Sequence, residues 1–525
     1  MRKSGILMHL TSLPGRYGIG TMGKSAFDFV DFLHKSGQQC WQILPLTPTG
    51  YGDSPYQSNS AYAGNPYLID LDLLIEVGLL TDEDVIGRDW CETADRVDFG
   101  RQYRSKLAVL RLAYARFEGG ADFDAFMSEQ SAWLPDFALF MALKDENSGA
   151  AWNTWEDGLK FRKTRALKAA QKRLSDEIRF YCFVQYIFYR QWAALLTYAH
   201  EKGIEIIGDV PIYVPYDSVE VWCEPGLFQL DKALVPTAVA GCPPDGFSED
   251  GQLWGNPLYN WKKIQKQDFA WWIRRMAAAG KLYDVIRLDH FRGFEAYWSI
   301  PYGDKTARGG KWITGPGMAF VNALKTQLPD IRFIAEDLGT LTQEVLDMRD
   351  LSGYPGMKVL GFAFDGCCEN DYLPHNYPTN SICYTGTHDN MTTLQWFHTA
   401  SYEALDYIVE YMGLEDVADK MTQKELVWSV IRTAMASVSD LCIVQMQDYL
   451  TLGQEARMNF PGTMSSDNWS WRAKPGFASS ELAQRIAALT ERYGRAPAKP
   501  VAEPEEDPAG DTESSNLATA QSNKE

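Results

Sequence analysis

Histidine is scarce in this sequence, with seven in 525 residues, and the nine cysteines are scattered with no C-x-x-C pair. That argues against the usual zinc frameworks and the disulfide scaffolds of small secreted domains. Reduced thiols suit a cytoplasmic protein better. Long apolar runs are lacking too. The most apolar stretch, Phe180 to Tyr198, is broken by Gln185, Arg190 and Gln191, which predicts a buried helix and not a membrane span. Near the N-terminus, Arg2 and Lys3 precede only Gly5-Ile-Leu-Met8 before His9. That run is too short for a secretory signal, and no small-residue cleavage site follows. Positive charge is in deficit: 50 Lys and Arg against 69 Asp and Glu give a net charge of -19. Such a surface repels phosphate, so nucleic acid and anionic membranes are not expected partners, while neutral ligands remain open. Several catalytic signatures are missing as well. There is no G-x-S-x-G elbow, no cysteine beside a histidine and no HExxH. Gly18-Ile-Gly20-Thr-Met-Gly23 imitates a dinucleotide fingerprint but has no acidic partner on a second strand.

What the chain does contain is a series of short apolar runs that end in polar or glycine-rich turns. They are Gly5–Leu10, Cys40–Leu44, Ile204–Asp209, Asp284–Asp289, Ile331–Glu336, Met357–Phe364, Ser381–Thr385 and Leu441–Gln445. Amphipathic helical patterns, such as Ser25–Lys35, Phe269–Ala279, Gly317–Gln327 and Leu341–Asp350, lie between most of them. Strands alternating with helices predict parallel βα units, and eight such units predict an α/β fold of the (β/α)8 TIM-barrel class. The spacing is uneven. The long gap after the second run predicts a mainly helical insertion at about 66–200, and a second, loop-rich insertion is expected at about 215–265. The latter holds the Gly- and Pro-rich segment Pro243–Pro257 with Trp254, the kind of loop that serves as a lid beside a barrel mouth. The catalytic domain is therefore expected to span 1–495. Residues 496–525 carry two lysines against seven acidic side chains and almost no large apolar ones, the composition of a disordered acidic tail. Deleting 496–525 is expected to leave activity and melting temperature nearly intact, and a large loss of either would show the tail to be structural.

In such a barrel, catalytic groups come from the C-terminal ends of the strands. Those ends carry Asp209, Asp289, Glu336 and Asp389, with Arg287, His290 and His388 close by. A single strand-terminal Asp is an ordinary helix cap. Four carboxylates converging on one mouth repel one another, and that cost asks for a functional reason. Glycosidic bond cleavage uses such a set without metal or cofactor: one carboxylate attacks the sugar and another protonates the leaving oxygen. Hard cations also take carboxylates, but no D-x-[DN]-x-D loop is present.

Four segments carry a resemblance. Gly208-Asp209-Val-Pro-Ile-Tyr213, Arg287-Leu-Asp289-His-Phe-Arg-Gly-Phe294, Ile334-Ala-Glu336-Asp-Leu-Gly339 and Thr387-His-Asp389-Asn390 resemble the four ordered motifs of the α-amylase clan. Their wording is similar to the 4-α-glucanotransferases called amylomaltases or disproportionating enzymes. So are Leu10–Gly15, Trp41–Leu46, Gly50–Ser58, Ala63–Tyr67 and Arg457-Met-Asn-Phe-Pro-Gly-Thr463, which extend the likeness over roughly 5–495. His9 and Thr47 to Thr49 depart from that wording. The resemblance implies a glycosyltransferase that moves α-1,4-glucan segments between maltooligosaccharides by a retaining, two-step mechanism. It implies Asp289 as nucleophile, Glu336 as general acid/base and Asp389 as the carboxylate holding sugar hydroxyls. Arg287 would keep the nucleophile ionised, Asp209 and His388 would touch the reacting glucose, and Trp254 and Tyr56 would meet the glucan. A hydrolysing amylase and an inactive glucan-binding scaffold are the alternatives, the second disfavoured by the intact acidic triad.

Overall fold

The structure, a computed structural model, describes residues 2–50, 52–244 and 248–498. The expected tail lies outside the described residues from 499 onward. Among the described residues there are twelve strands: β1 (Lys3–Leu7), β2 (Cys40–Gln42), β3 (Glu205–Val210), β4 (Ala238–Cys242), β5 (Gln252–Pro257), β6 (Val285–Leu288), β7 (Ala296–Pro301), β8 (Lys311–Thr314), β9 (Arg332–Ala335), β10 (Gly356–Val359), β11 (Ser381–Tyr384) and β12 (Leu441–Gln445). Eight of them form one parallel sheet in the order β10-β11-β12-β1-β2-β3-β6-β9. The Ala335 backbone N–H donates to the Pro355 carbonyl at 3.0 Å and draws β9 toward β10, so the sheet comes round nearly to a closed barrel. Every apolar run read as a strand supplies one of these eight. Several strands end short of their runs, β1 and β10 by the most. β1 stops at Leu7 and β10 at Val359, and 3-10 turns at Leu10–Ser12 and Leu360–Phe362 follow. Met8, Leu10 and Leu360 remain buried there, so hydrophobicity records burial beyond the point where the ladder ends.

Between β2 and β3 the chain is mainly helical, with Phe99–Ala115, Leu134–Glu146 and Ser175–Glu201 the longest pieces. The helix Ser175–Glu201 explains its own polar interruptions. The Gln185 amide exchanges two hydrogen bonds with the backbone of Gly64, at 2.7 and 2.9 Å, and the Gln191 amide does the same with Asp70 at 2.7 and 2.9 Å. Both glutamines are buried, so these bonds satisfy groups that would otherwise be costly and pin the segment that follows β2. Gly64 permits the approach, since a Cβ there would lie 2.1 Å from the Phe188 ring. Among the described residues, no helix is long and apolar enough to cross a membrane.

The segment 215–265 holds more regular structure than its composition suggests. Its strands β4 and β5 join β7 and β8 in a second, antiparallel sheet of order β5-β4-β7-β8. Trp254 therefore stands on a strand and not on a loop. The Gly and Pro residues that signal a loop cluster before it, whereas Gln252–Pro257 pairs with β4 across a bulge between Val239 and Gly241.

Candidate functional site

The register of β3 against β6 builds the centre of the site. Asp209 lies opposite Arg287, and Arg287 and Asp289 are two residues apart, so they share the inner face. One guanidinium nitrogen consequently reaches two carboxylates: Arg287 Nη1 donates to Asp209 Oδ2 at 2.6 Å and to Asp289 Oδ1 at 3.0 Å. Arg287 and Asp209 are almost wholly buried, while the Asp289 side chain keeps 26% exposure toward the mouth. The neighbouring strand pairs add the next acid. Asp289 N–H donates to the Val210 carbonyl and Glu336 N–H to the Leu288 carbonyl, each at 3.1 Å, so the ladder carries both acids to the rim.

Glu336 is held by backbone. The N–H of His290 donates to its Oε2 at 2.6 Å and that of Leu338 to its Oε1 at 3.0 Å. His290 sits at φ 51, a left-handed conformation that a side-chain-bearing residue seldom adopts, and this strained turn presents its N–H to Glu336. Burial raises the carboxyl of Glu336 above its ordinary range, with Arg287 and the two backbone donors opposing. Burial also pushes Asp289 up; Arg287 pulls it back, and Asp209 and Glu336 add to the rise. The difference between the two acids is geometric. Asp289 touches the guanidinium and Glu336 touches only neutral N–H groups.

Asp389 and His388 stand on the turn after β11, where Asn390 Oδ1 accepts from the N–H and hydroxyl of Thr387, both at 2.8 Å. Asn459 Nδ2 donates to Asp389 Oδ1 at 2.6 Å, Arg457 Nη2 donates to its backbone carbonyl at 2.8 Å, and His388 Nε2 lies 3.5 Å from Asp389 Oδ2. Tyr56 completes this side. Its hydroxyl donates to Asp209 Oδ2 at 2.8 Å and its ring stacks on His388 with centroids 5.1 Å apart. Trp254 meets the His290 ring edge-on at 4.9 Å, next to Asp289. All eight residues expected from the sequence therefore come together at one end of the barrel.

Sequence reasoning assigns no task to Asn459, Arg457, Trp469 or Glu220. Asn459 and Arg457 lie within the recognised segment Arg457–Thr463, and that placement is the one signal they give. Trp469, whose ring centroid is 5.7 Å from that of Tyr56 and 5.8 Å from that of His388, gives none. Glu220 accepts from Ala61 N–H at 2.7 Å and from the Ser60 hydroxyl at 3.2 Å, securing the loop that carries Tyr56. Burial pushes its carboxyl up to about 7. Its folded form thus holds a proton that the unfolded chain has already released, and stability falls as pH rises from the ordinary glutamate value through 7, by about 3 kcal/mol. The Glu220→Gln variant should lose that slope, so its thermal midpoint should gain most over the parent above pH 7. An equal difference at pH 5 and pH 8 would refute this. Among the described residues, no group of three or more His, Cys, Asp or Glu is placed to hold a metal ion.

A sequence profile described as 4-alpha-glucanotransferase matches residues 8–478. The chain belongs to that family. It is 50% identical over 493 residues to the 4-alpha-glucanotransferase of Clostridium butyricum, covering 93% of this chain and all of that one. Against the 4-alpha-glucanotransferase of Thermus thermophilus it is 47% identical over 502 residues, covering 94% of this chain and 99% of that one. The solved amylomaltase of Streptococcus agalactiae, in complex with acarbose, superposes with a TM-score of 0.91 at 41% identity, covering 95% of this chain and 100% of that one. The chain is therefore an enzyme of the 4-alpha-glucanotransferase family.

Proposed function

We propose that the enzyme cleaves an α-1,4 bond in a donor glucan and transfers the glucosyl segment to the 4-hydroxyl of glucose or another glucan. The observation that carries this reading is the Arg287 clamp, which binds Asp209 and Asp289 and leaves the adjacent Glu336 without a cationic partner. Several carboxyls crowd one guanidinium, so a proton is retained, and it resides on the acid the guanidinium does not touch. Asp289 then attacks the anomeric carbon as a carboxylate. The glycosidic C–O bond breaks, and Glu336 gives its proton to the departing oxygen. In the second step Glu336, now a base, removes the proton of the incoming 4-hydroxyl, whose oxygen displaces Asp289 from the same carbon. Asp389, oriented by Asn459, and His388, held by the Tyr56 ring, are placed to grip the hydroxyls of the reacting glucose.

Transfer prevails over hydrolysis where an acceptor displaces water, and the ring of Trp254, edge-on to His290, forms an apolar wall for that purpose. Trp254→Ala should therefore lower the ratio of transfer to hydrolysis several-fold while donor cleavage falls less; an unchanged ratio would count against the wall. The decisive assay is incubation with maltotriose. Longer oligomers together with glucose support transfer, whereas glucose and maltose alone would mean a hydrolase. The reading places the enzyme in the cytoplasm, in maltooligosaccharide, starch or glycogen metabolism, and the scattered cysteines, with no C-x-x-C pair, agree with a reducing compartment.

A further inference from the structure

Behind the His388 ring, at the C-terminal ends of β1 and β12, lies a small cavity of about 10 Å³ lined by His9, His388 and Gln445 among others. That is roughly room for one water. Two polar atoms at this place, His388 Nδ1 and Gln445 Nε2, have no hydrogen-bond partner among the described protein atoms, although their residues are only 4% and 2% exposed. Groups so deeply buried are rarely left unsatisfied, and a cavity beside them is where the satisfaction comes from.

His9 decides the direction of the hydrogen bonds. Its Nδ1 lies 3.2 Å from the Leu44 backbone nitrogen, which can only donate, so Nδ1 is the bare acceptor. Burial pushes His9 down to about 3, so the ring is neutral and its one proton sits on Nε2. His9 and the Gln445 amide therefore offer N–H donors, and a water that accepts from both has its own hydrogens left to give. The acceptor for one of them is His388 Nδ1. His388 is neutral too, since burial lowers it, so an accepting Nδ1 places its single proton on Nε2. That is the nitrogen nearest Asp389, 3.5 Å from its Oδ2, on the side where the sugar is bound.

We infer that His9 acts through one bridging water, with Gln445 beside it, as a positioning residue that fixes His388 in its Nε2–H tautomer, ready to donate to a sugar hydroxyl. This rests on the reading of His388 as a sugar contact.

The test uses full-length protein labelled with 15N-histidine. Long-range 1H–15N spectra report which ring nitrogen of His388 is protonated, with the resonance assigned by its loss in His388→Gln. A single Nε2–H tautomer is expected in the parent. His9→Leu should give a mixture and lower kcat/KM for maltotriose roughly tenfold, mainly through KM. His9→Asn, which can accept from Leu44 and donate to the water, should restore both. Gln445→Leu removes the second donor and should also shift the tautomer, which keeps the test open if His9→Leu folds poorly. A parent protonated at Nδ1, or a His388 signal unmoved by both leucine variants, would overturn the inference. Because the spectra need no turnover, a chain that fails to transfer glucans would sink the proposed function and leave the tautomer result standing.

Discussion

In the Asp289→Asn variant, glucan transfer is expected to fall by roughly four orders of magnitude or more, while maltooligosaccharide binding survives. Asparagine has nearly the shape of aspartate, and Arg287 keeps its 2.6 Å bond to Asp209, so the clamp persists and the fold should hold. What disappears is the negative oxygen proposed to attack the anomeric carbon. An amide oxygen is a poor nucleophile, and neither Asp209 nor Glu336 can replace it. The first is tied to both Arg287 and Tyr56, and the second is fixed by two backbone donors. Initial rates on maltotriose, with calorimetric titration of the same sugar, separate the two effects. Turnover within about tenfold of the parent would remove Asp289 from its role. Loss of binding together with loss of turnover would point to a broken site and not to a missing nucleophile.

The Glu336→Gln variant should lose about 10²- to 10⁴-fold on maltotriose. The loss should be far smaller for the first step on a glucosyl donor whose leaving group departs without a proton. The single amide oxygen of glutamine can accept from only one of the His290 and Leu338 N–H groups, and it has no acidic proton to give. Equal losses on both donors would show that Glu336 holds the site together and does not transfer protons. The pH profile offers a second reading. Burial raises Glu336, so the acid form persists to higher pH than for an ordinary glutamate, and the alkaline limb of kcat/KM should report its deprotonation. That limb should vanish in Glu336→Gln. Its survival would assign it to another group.

Particular residues show why some of this could be read early. The eight barrel strands were visible because a parallel strand covered on both sides must be apolar along its whole length, whatever its partners are. The acids at their ends were visible because four carboxylates gathered at one mouth repel one another, although any one of them alone would pass as a helix cap. The antiparallel sheet was not visible. β4 pairs with β7, which lies beyond β6 in the chain, and nothing local to Ala238–Cys242 announces that partnership. Gln185 and Gln191 read as interruptions of an apolar helix, and their reason is the backbone of Gly64 and Asp70, more than a hundred residues earlier. Trp469 was silent in the same way, since it packs on side chains far away in sequence.

The sequence by itself determined the barrel, the order of the acids around it and the chemistry that such acids perform, because periodicity, burial and residue type are local properties that survive in one dimension. The tertiary structure alone decided which acid shares the guanidinium and which stands apart, that Trp254 is carried on a strand, and that His9 lies behind His388. Those are matters of register and long-range contact. A shift of one residue between β3 and β6 would leave every motif unchanged, yet Arg287 would no longer face Asp209.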